Sequence, residues 1–307
     1  MISCFCDRPG TSCLTSLAFF IQGTERLVEN KPMRDYQQRF LEEHLLKLPL
    51  AGWRMLEVGA TAPELHEAIL QHVPEVREII GIDQRKDWEY QGGKHRILKM
   101  DVRQLEFPDE SFDLIYSLAT FEHIHDLAHA LQEMHRVLRP GGLLLSVWSP
   151  IWNGFNGHHQ GSILSGADGV DIHLPWAHLI IPQNEFAQYL VRGESYTTAQ
   201  AQAATDFIFH SPFLNRLCYG DYVQIIQKSG FQVMTLEGCR VEFGGLLHRI
   251  EEKIQAGYVS AEQVLDFFRR TPNDEVLVYK MKALLKKCAT ADGVPFKNDG
   301  EASGTND

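Results

Sequence analysis

The 307-residue chain has no apolar run as long as a membrane span, which needs about 18 residues. The short apolar stretch over 14–21 is interrupted by Thr15 and Ser16. It lacks the basic start and the small-residue cleavage pattern of a secretory signal. We therefore expect a cytoplasmic protein that has no membrane partner.

Cysteine is scarce and scattered. Six cysteines in a chain of this length do not resemble a disulfide framework, which is typical of small secreted domains. Three of them, Cys4, Cys6 and Cys13, lie close together near the start of the chain. Their spacing matches no standard zinc pattern, so we interpret them as free thiols on a poorly ordered arm.

Basic clusters are also missing. The formal net charge is −11, and the one Lys-rich stretch, over 280–287, is short and reads as a solvated face. Nucleic-acid binding depends on basic surface that neutralises phosphates. The composition therefore argues against a nucleic-acid partner and favours a small-molecule substrate.

What the chain does contain is an alternation of short strands and helices, which predicts an α/β fold with a doubly wound, mostly parallel sheet. Asp126 is predicted to cap one helix, and Ser260 with Gln263 is predicted to form a capping box on another. The predicted strands are 53–59, 78–83, 96–100, 112–117, 143–148 and 231–236, with 275–285 ambiguous between a strand and a helix. The predicted helices are 31–48, 64–72, 127–138, 184–191, 222–228, 246–254 and 261–269.

These elements divide the chain into a core and its additions. We expect a poorly ordered arm over 1–30, an N-terminal helix over 31–52 and a cofactor-binding α/β core over 53–150. Residues 151–218, here called the insertion, are predicted to cover the substrate. Residues 219–290 supply the rest of the core and C-terminal helices, which could form a homodimer surface, and 291–307 is a disordered tail.

Two strand ends predict a nucleoside site. Gly59 follows the first strand and has no Cβ, so backbone can approach a ligand closely there. Asp83 follows the second strand, and its carboxylate can accept hydrogen bonds from the two hydroxyls of a ribose. Doubly wound proteins bind nucleoside cofactors at the carboxyl ends of such strands.

Four segments in order resemble the class I S-adenosylmethionine-dependent methyltransferases, most closely the small-molecule group called type 11. They are Met55-Leu56-Glu57-Val58-Gly59, Gly81-Ile82-Asp83, Met100-Asp101-Val102, and Phe112 to Ser117 with Phe121-Glu122-His123-Ile124. The run from Glu133 to Gly142 is the most diagnostic. The resemblance implies a methyltransferase with S-adenosylmethionine as its cofactor.

The resemblance also implies roles for individual residues. It puts the methionine part of the cofactor beside Glu57 and Gly59, the ribose at Asp83 and the adenine at Asp101 and Val102. Adjacent positions complete the predicted cofactor site: Ala60, Gln84, Ser117 and Leu118. The chain departs from the family where two further glycines usually follow the first, because Gly59-Ala60-Thr61-Ala62-Pro63 keeps only one.

Histidines are the candidate catalytic residues. His123 follows the fourth core strand, and His158 and His159 lie in the insertion. Imidazole titrates near neutrality, which suits a base that takes a proton from an oxygen or nitrogen acceptor. A carbon acceptor is the less favoured alternative. The alternative for His123 is a hydrogen bond that orders its loop. Metal binding by His158, His159, His173 and His178 is the other alternative, although their spacing matches no zinc signature and we assign no metal.

Two other functions stay open at this point. Because the glycine loop is altered, the protein could be a methyltransferase-like enzyme that catalyses a different reaction, with or without a metal. It could also be a non-catalytic regulatory subunit, in which the C-terminal helices bind a partner.

Overall fold

The computed structural model describes residues 33–85, 89–160, 172–271 and 273–288. Within these ranges eight strands form one sheet. The predicted arm over 1–30 and the predicted tail over 291–307 lie outside the described residues. The strands are β1 (Arg54–Val58), β2 (Glu78–Ile82), β3 (Tyr90–Gly92), β4 (His95–Leu98), β5 (Phe112–Leu118), β6 (Leu138–Trp148), β7 (Gln232–Arg240) and β8 (Val278–Lys286). The helices are α1 (Asp35–Glu43), α2 (Glu64–His72), α3 (Leu127–Val137), α4 (Ala177–Ile180), α5 (Gln183–Gly193), α6 (Thr198–His210), α7 (Tyr219–Gln227), α8 (Phe243–Gln255), α9 (Ala261–Arg270) and α10 (Asn273–Val276).

The strand order is β3-β4-β2-β1-β5-β6-β8-β7. The pairs from β4 through β6 are parallel, whereas β3 is antiparallel to β4, and β8 is antiparallel to both β6 and β7. From β1 the chain winds first to β2 on one side and then returns to β5 on the other. Such a switch point is where doubly wound sheets bind ligands. The predicted α/β fold class is confirmed.

The two faces of the sheet are buried by different helices, because successive side chains of a strand point to opposite faces. On β1, Met55 belongs to the cluster that includes Phe40 of α1 and Leu65 of α2. The next residue, Leu56, belongs to the cluster that includes Met134 of α3 and Ile226 of α7. Parallel strands that are covered on both faces are continuously apolar, and for this reason β1, β2 and β5 could be predicted as strands from the sequence.

A third hydrophobic cluster lies outside the sheet and joins the insertion to the C-terminal helices. Trp176, Phe186 and Ile208 from the insertion are buried together with Ile250 of α8 and Phe267 of α9. The insertion helices and α8 and α9 therefore share one core. The division at residue 218, which separated the insertion from the C-terminal helices in the sequence analysis, runs across this cluster.

Most predicted elements are present with shifted ends. The N-terminal helix is shorter than predicted, since α1 is followed by a separate 3₁₀ turn at Leu45–Lys47. The ambiguous segment over 275–285 becomes the end of α10 and then β8. Both predicted caps are confirmed: the Asp126 side chain accepts from the backbone N–H of His129, and Ser260 and Gln263 form a capping box.

Helices α4 and α6, strand β3 and the early start of β6 were not predicted. Helix α6 buries the small residues Ala201 and Ala204 with Ile208, so its apolar stripe is weak in the sequence. The three-residue β3 is too short to show a period, and pairing in β6 begins at Leu138, before the Pro-Gly-Gly turn that was expected to precede it. Among the described helices none is both long and apolar enough to cross a membrane.

Candidate active site

A cavity of about 530 Å³ lies at the carboxyl ends of β1, β2, β4 and β5. Small-molecule sites commonly have volumes of about 300 to 1,000 Å³. Its walls come from these strand ends and from one segment of the insertion. The lining residues are Val58, Gly59, Ile82, Asp83, Gln84, Arg85, Met100, Asp101, Val102, Arg103, Thr120, His123, Ile124, His125, Ser211, Pro212 and Phe213.

Gly59 has a left-handed backbone conformation that favours glycine. Its φ is +89°, and its backbone N–H donates to the Ile82 carbonyl at 2.8 Å. A Cβ at this position would lie 2.0 Å from Oγ1 of Thr120, which occupies the space above the glycine. Backbone strain and this overlap both exclude a larger residue.

Asp83 lies at the end of β2 with its side chain buried. One oxygen, Oδ1, accepts from the backbone N–H of Arg85 at 2.7 Å, and Oδ2 is 3.5 Å from the Arg85 guanidinium. That guanidinium is stacked on the ring of Phe213, 4.8 Å from its centroid. Arg85 therefore connects the predicted ribose-binding acid to the insertion.

Asp101 is held by Arg103. The guanidinium donates to both carboxylate oxygens, at 2.6 Å for the shortest contact, and the backbone N–H of Arg103 donates to Oδ1 at 2.9 Å. These side-chain hydrogen bonds with Arg103 lower the pKa of Asp101. Met100 and Val102 on either side of it give this wall an apolar surface.

Glu57, predicted to contact the cofactor, does not line the cavity. It is buried beneath it, and its Oε2 lies 2.6 Å from Nε2 of His66 on α2. The buried phenol of Tyr116 lies on the other side: burial raises the pKa of Tyr116, and the neighbouring Glu57 raises it further. In this structure Glu57 supports the end of β1 from below.

Three other predicted cofactor residues also lie outside the lining. Ala60 is fully buried, and its Cβ occupies the space above Gly81. Ser117 is fully buried, and its hydroxyl donates to the Val58 carbonyl at 3.0 Å. Leu118 packs with the hydrophobic cluster on the α1 and α2 face. The predicted residues that do line the cavity are Gly59, Asp83, Gln84, Asp101 and Val102.

His123 is the predicted catalytic residue that lines the cavity. Its Nδ1–H donates to the Phe213 carbonyl at 3.0 Å, so Nε2 carries the lone pair of the neutral ring. Burial lowers the pKa of His123 to about 4, and Arg85 also lowers it, while the Phe213 carbonyl and Asp83 oppose the shift. The ring is neutral at neutral pH.

The two insertion histidines lie behind this wall. The ring of His159 is 5.2 Å from that of His123, and its Nε2–H donates to the Pro150 carbonyl at 2.9 Å. Burial lowers the pKa of His159 to about 3. His158 is buried, and its Nδ1 accepts from the backbone N–H of Gln160 at 3.0 Å. Neither residue is part of the cavity lining.

The remaining insertion histidines have separate partners. Nδ1 of His173 is 3.1 Å from Oε2 of Glu194, and Nε2–H of His178 donates to the Trp152 carbonyl at 2.7 Å. The ring of His158 is 5.4 Å from that of His178. In the part of the chain that the structure describes, no group of three or more His, Cys, Asp or Glu side chains is arranged to hold a metal ion.

The insertion wall of the cavity, Ser211, Pro212 and Phe213, was not predicted. It is held by the turn after β5: Nε2–H of His125 donates to the Pro212 carbonyl, and His123 to that of Phe213. Nearby, Asn215 donates to the Phe121 carbonyl at 2.6 Å. These contacts join positions about 90 residues apart in the chain, and no local pattern signals them.

Known proteins match the same part of the chain. Residues 56–146 match the family model described as a methyltransferase domain. The demethylmenaquinone methyltransferase of Deinococcus radiodurans is 30% identical over 165 residues, which cover 47% of this chain and 68% of that protein. The chain belongs to the class I S-adenosylmethionine-dependent methyltransferases.

Two further relatives match over shorter stretches. The 27-O-demethylrifamycin SV methyltransferase of Amycolatopsis mediterranei is 36% identical over 134 residues, covering 38% of this chain and 46% of that protein. The malonyl-[acyl-carrier protein] O-methyltransferase 1 of Coxiella burnetii is 58% identical over 41 residues, covering 13% of this chain and 14% of that protein. The protein is therefore a methyltransferase, and its cofactor is S-adenosylmethionine.

Proposed function

We propose that this methyltransferase transfers the methyl group to an oxygen or nitrogen of a small-molecule acceptor, with His123 as the base that takes the acceptor's proton. The observation that carries the proposal is the juxtaposition of Asp83, Gly59 and His123 on the walls of one cavity. The names of the relatives, a menaquinone precursor enzyme and a rifamycin enzyme, are consistent with a small acceptor.

The residues present fit the cofactor. Asp83 would accept from the ribose hydroxyls, because its carboxylate is buried at the cavity edge and its Oδ2 lies 3.5 Å from the Arg85 guanidinium. The apolar side chains of Met100 and Val102 would pack on the adenine. Gly59 provides close backbone approach for the methionine end. When bound, S-adenosylmethionine supplies a methyl group on a positively charged sulfur.

The altered glycine loop does not argue against this fit. Ala60 is the first residue of the altered loop after Gly59. Its methyl group contacts Gly81, and Ala60 does not line the cavity. Gly81 in turn leaves the room that Ala60 needs, since a Cβ there would lie 2.5 Å from that of Ala60. The two positions are complementary, and Gly59 lines the cavity beside Ala60.

His123 is the histidine best placed to act on an acceptor. It lines the cavity, it is neutral at neutral pH, and the Phe213 carbonyl fixes the proton on Nδ1. A positioned base of this kind typically contributes about 10²- to 10⁴-fold to a rate. His158 and His159 remain predicted catalytic residues, but their ring nitrogens already bind backbone groups behind the wall.

Calorimetry with S-adenosylmethionine tests the proposal. We expect Asp83→Asn to weaken binding at least about tenfold, or about 1.4 kcal/mol, because the amide cannot accept from both hydroxyls as the carboxylate does. The control is Asp266→Asn on α9, which changes an exposed carboxylate of the helical cluster. Equal binding by both variants would contradict the assignment of Asp83.

The same experiment separates the alternatives. Binding followed by methyl transfer to a phenol, a carboxylic acid or an amine would support the proposal. Binding without transfer, together with a tightly associated partner protein, would instead favour a regulatory subunit. Absence of binding by the folded wild-type protein would contradict the proposed site as a whole.

A further inference from the structure

Thr120 lies where the wall of the cavity meets the end of β1. It comes just after β5, and it lines the cavity together with Gly59. Its Oγ1 is 2.0 Å, and its Cγ2 2.7 Å, from the position that a Cβ on Gly59 would occupy. A ligand that lies against Gly59 therefore also meets the side chain of Thr120.

The turn that carries Thr120 has an unfavourable backbone conformation. The preceding residue, Ala119, has a φ of +51°, in the left-handed region. Residues with a Cβ are strained there, and such strain is concentrated at functional sites. The backbone N–H of Ala119 donates to the Val147 carbonyl of β6 at 2.8 Å, which holds the turn on the sheet. The strained turn places the next side chain, that of Thr120, against Gly59.

Hydrogen bonds orient the Thr120 hydroxyl and connect its turn to His123. The hydroxyl donates to the Leu118 carbonyl at 3.0 Å. Because its one proton is donated there, Oγ1 can act toward a ligand only as an acceptor. The Thr120 carbonyl accepts from the backbone N–H of His123 at 2.8 Å, at the 3₁₀ turn Phe121–His123. One turn thus carries both an acceptor oxygen beside Gly59 and the proposed base.

The methylated and demethylated forms of the cofactor differ in what they offer to such an oxygen. The sulfur of S-adenosylmethionine is positively charged, and this charge polarises the C–H bonds of its methyl group. The sulfur of S-adenosylhomocysteine is neutral and lacks that methyl group. An oxygen lone pair attracts a positive charge and makes weak hydrogen bonds with C–H groups. An acceptor oxygen beside the sulfur therefore favours the methylated form.

We propose that Thr120 is a specificity-determining residue, whose Oγ1 contacts the methyl group on the sulfur and favours S-adenosylmethionine over S-adenosylhomocysteine. The inference rests on the proposed site, in which the methionine end of the cofactor lies beside Gly59. Oγ1 loses this attraction once the methyl group has been transferred and the sulfur is neutral. Thr120 therefore also favours the exchange of the demethylated product for a new molecule of S-adenosylmethionine.

Calorimetric titration of the full chain with each of the two ligands tests the proposal. Thr120→Val keeps the shape of the side chain and removes the oxygen. We expect this variant to lose about two- to fivefold more affinity for S-adenosylmethionine than for S-adenosylhomocysteine, the effect of one weak C–H···O contact. Thr120→Ala, which also lacks the oxygen and cannot crowd the turn, should show the same change in the ratio of affinities. Thr120→Ser keeps the oxygen and should keep the wild-type ratio.

Thr271→Val is a matched control. Thr271 is half-buried, as Thr120 is, and its hydroxyl also donates to a backbone carbonyl, that of Phe267, at 2.9 Å. It follows α9 and does not line the cavity. The variant loses a hydrogen bond of the same kind, but it should bind both ligands with wild-type affinity.

The ratio of the two affinities distinguishes the proposed role from a structural one. If Thr120 only ordered its turn, Thr120→Val would weaken both ligands alike, because that effect does not depend on the charge of the sulfur. An unchanged ratio in Thr120→Val and Thr120→Ala, or an equal change in Thr120→Ser, would overturn the proposal. The proposed function fails separately, if the folded wild-type protein binds neither ligand.

Discussion

Two buried glutamates, Glu122 in the turn after β5 and Glu194 at the end of α5, have contrasting surroundings. Among the described residues Oε2 of Glu122 has no hydrogen-bond partner, and burial raises the pKa of Glu122 to about 8. Glu194 in the insertion is equally inaccessible, but it accepts from Lys253 at 2.8 Å, from the backbone N–H of Leu174 at 2.9 Å and from Tyr189. Burial alone would raise the pKa of Glu194, but these donors lower it below its usual value.

The contrast separates an acid that joins several elements from one that has an incomplete set of partners among the described residues. Glu194 ties together α5, α8 and the segment before α4, and so holds the helical cluster in one arrangement. Oε2 of Glu122 has no partner among the described residues, and Oε1 lies 4.0 Å from the histidine of the cavity. Acids with a perturbed pKa beside a cavity are candidates for functional residues.

The largest expected effect is on the structural acid. Glu194→Ala leaves Lys253 and Tyr189 without their shared partner, and removing one member of a buried ion pair costs about 3 to 5 kcal/mol. Chemical denaturation should show this loss, whereas Glu237→Ala on the exposed edge strand should not. A loss no greater than that of the control would remove the basis for calling Glu194 structural.

The pH dependence of stability should differ in sign between the two acids. The stabilisation from Glu194 is present above the unfolded pKa of about 4.5 and is lost as pH falls through its lower folded pKa. The ionisation of buried Glu122 instead lowers the stability of the folded protein, and this destabilisation grows as pH rises toward about 8. The melting temperature of Glu194→Gln should be below that of the wild type at neutral pH, and the difference should become smaller at acidic pH. The melting temperature of Glu122→Gln should be above that of the wild type at alkaline pH. Parallel curves for both variants would contradict the comparison.

A smaller effect is expected where the insertion meets the sheet edge. Arg85→Met keeps the apolar stem but removes the guanidinium that is stacked on Phe213 and faces Asp83. An exposed cation–π contact contributes about 0.5 to 1 kcal/mol, so cofactor affinity should change by less than tenfold. Calorimetry should measure S-adenosylmethionine binding by Arg85→Met and by Asp83→Asn, and Asp83→Asn should show the larger loss of affinity. A larger loss for Arg85→Met would make the arginine, rather than the acid, the main cofactor contact.

The sequence predicts the sheet edge well because each feature there is local. Gly59 and Asp83 directly follow buried strands, and parallel strands bring their carboxyl ends to one edge. The α/β fold, the family and the cofactor follow from the same short segments. Asp101, Val102 and His123 reach the cavity for the same reason, since they follow β4 and β5 within a few residues.

The rest of the site depends on contacts that no local pattern encodes. Phe213 reaches His123 across about 90 residues, and Asn215 reaches the turn after β5 in the same way. Glu57 has the predicted position in the sequence, but His66 on the following helix pairs with it beneath the cavity. His158 is buried and His159 is half-buried, and backbone contacts of their ring nitrogens keep both out of the cavity lining.

The most direct test of the account is a crystal structure of the protein with S-adenosylhomocysteine, the demethylated cofactor. The account predicts that the ribose hydroxyls lie at the Asp83 carboxylate, the adenine lies against Met100 and Val102, and the sulfur lies on the Gly59 side of the cavity. Density for the nucleoside at another edge of the sheet, or a cavity closed by Arg85 and Phe213 with no ligand at saturating concentration, would contradict it.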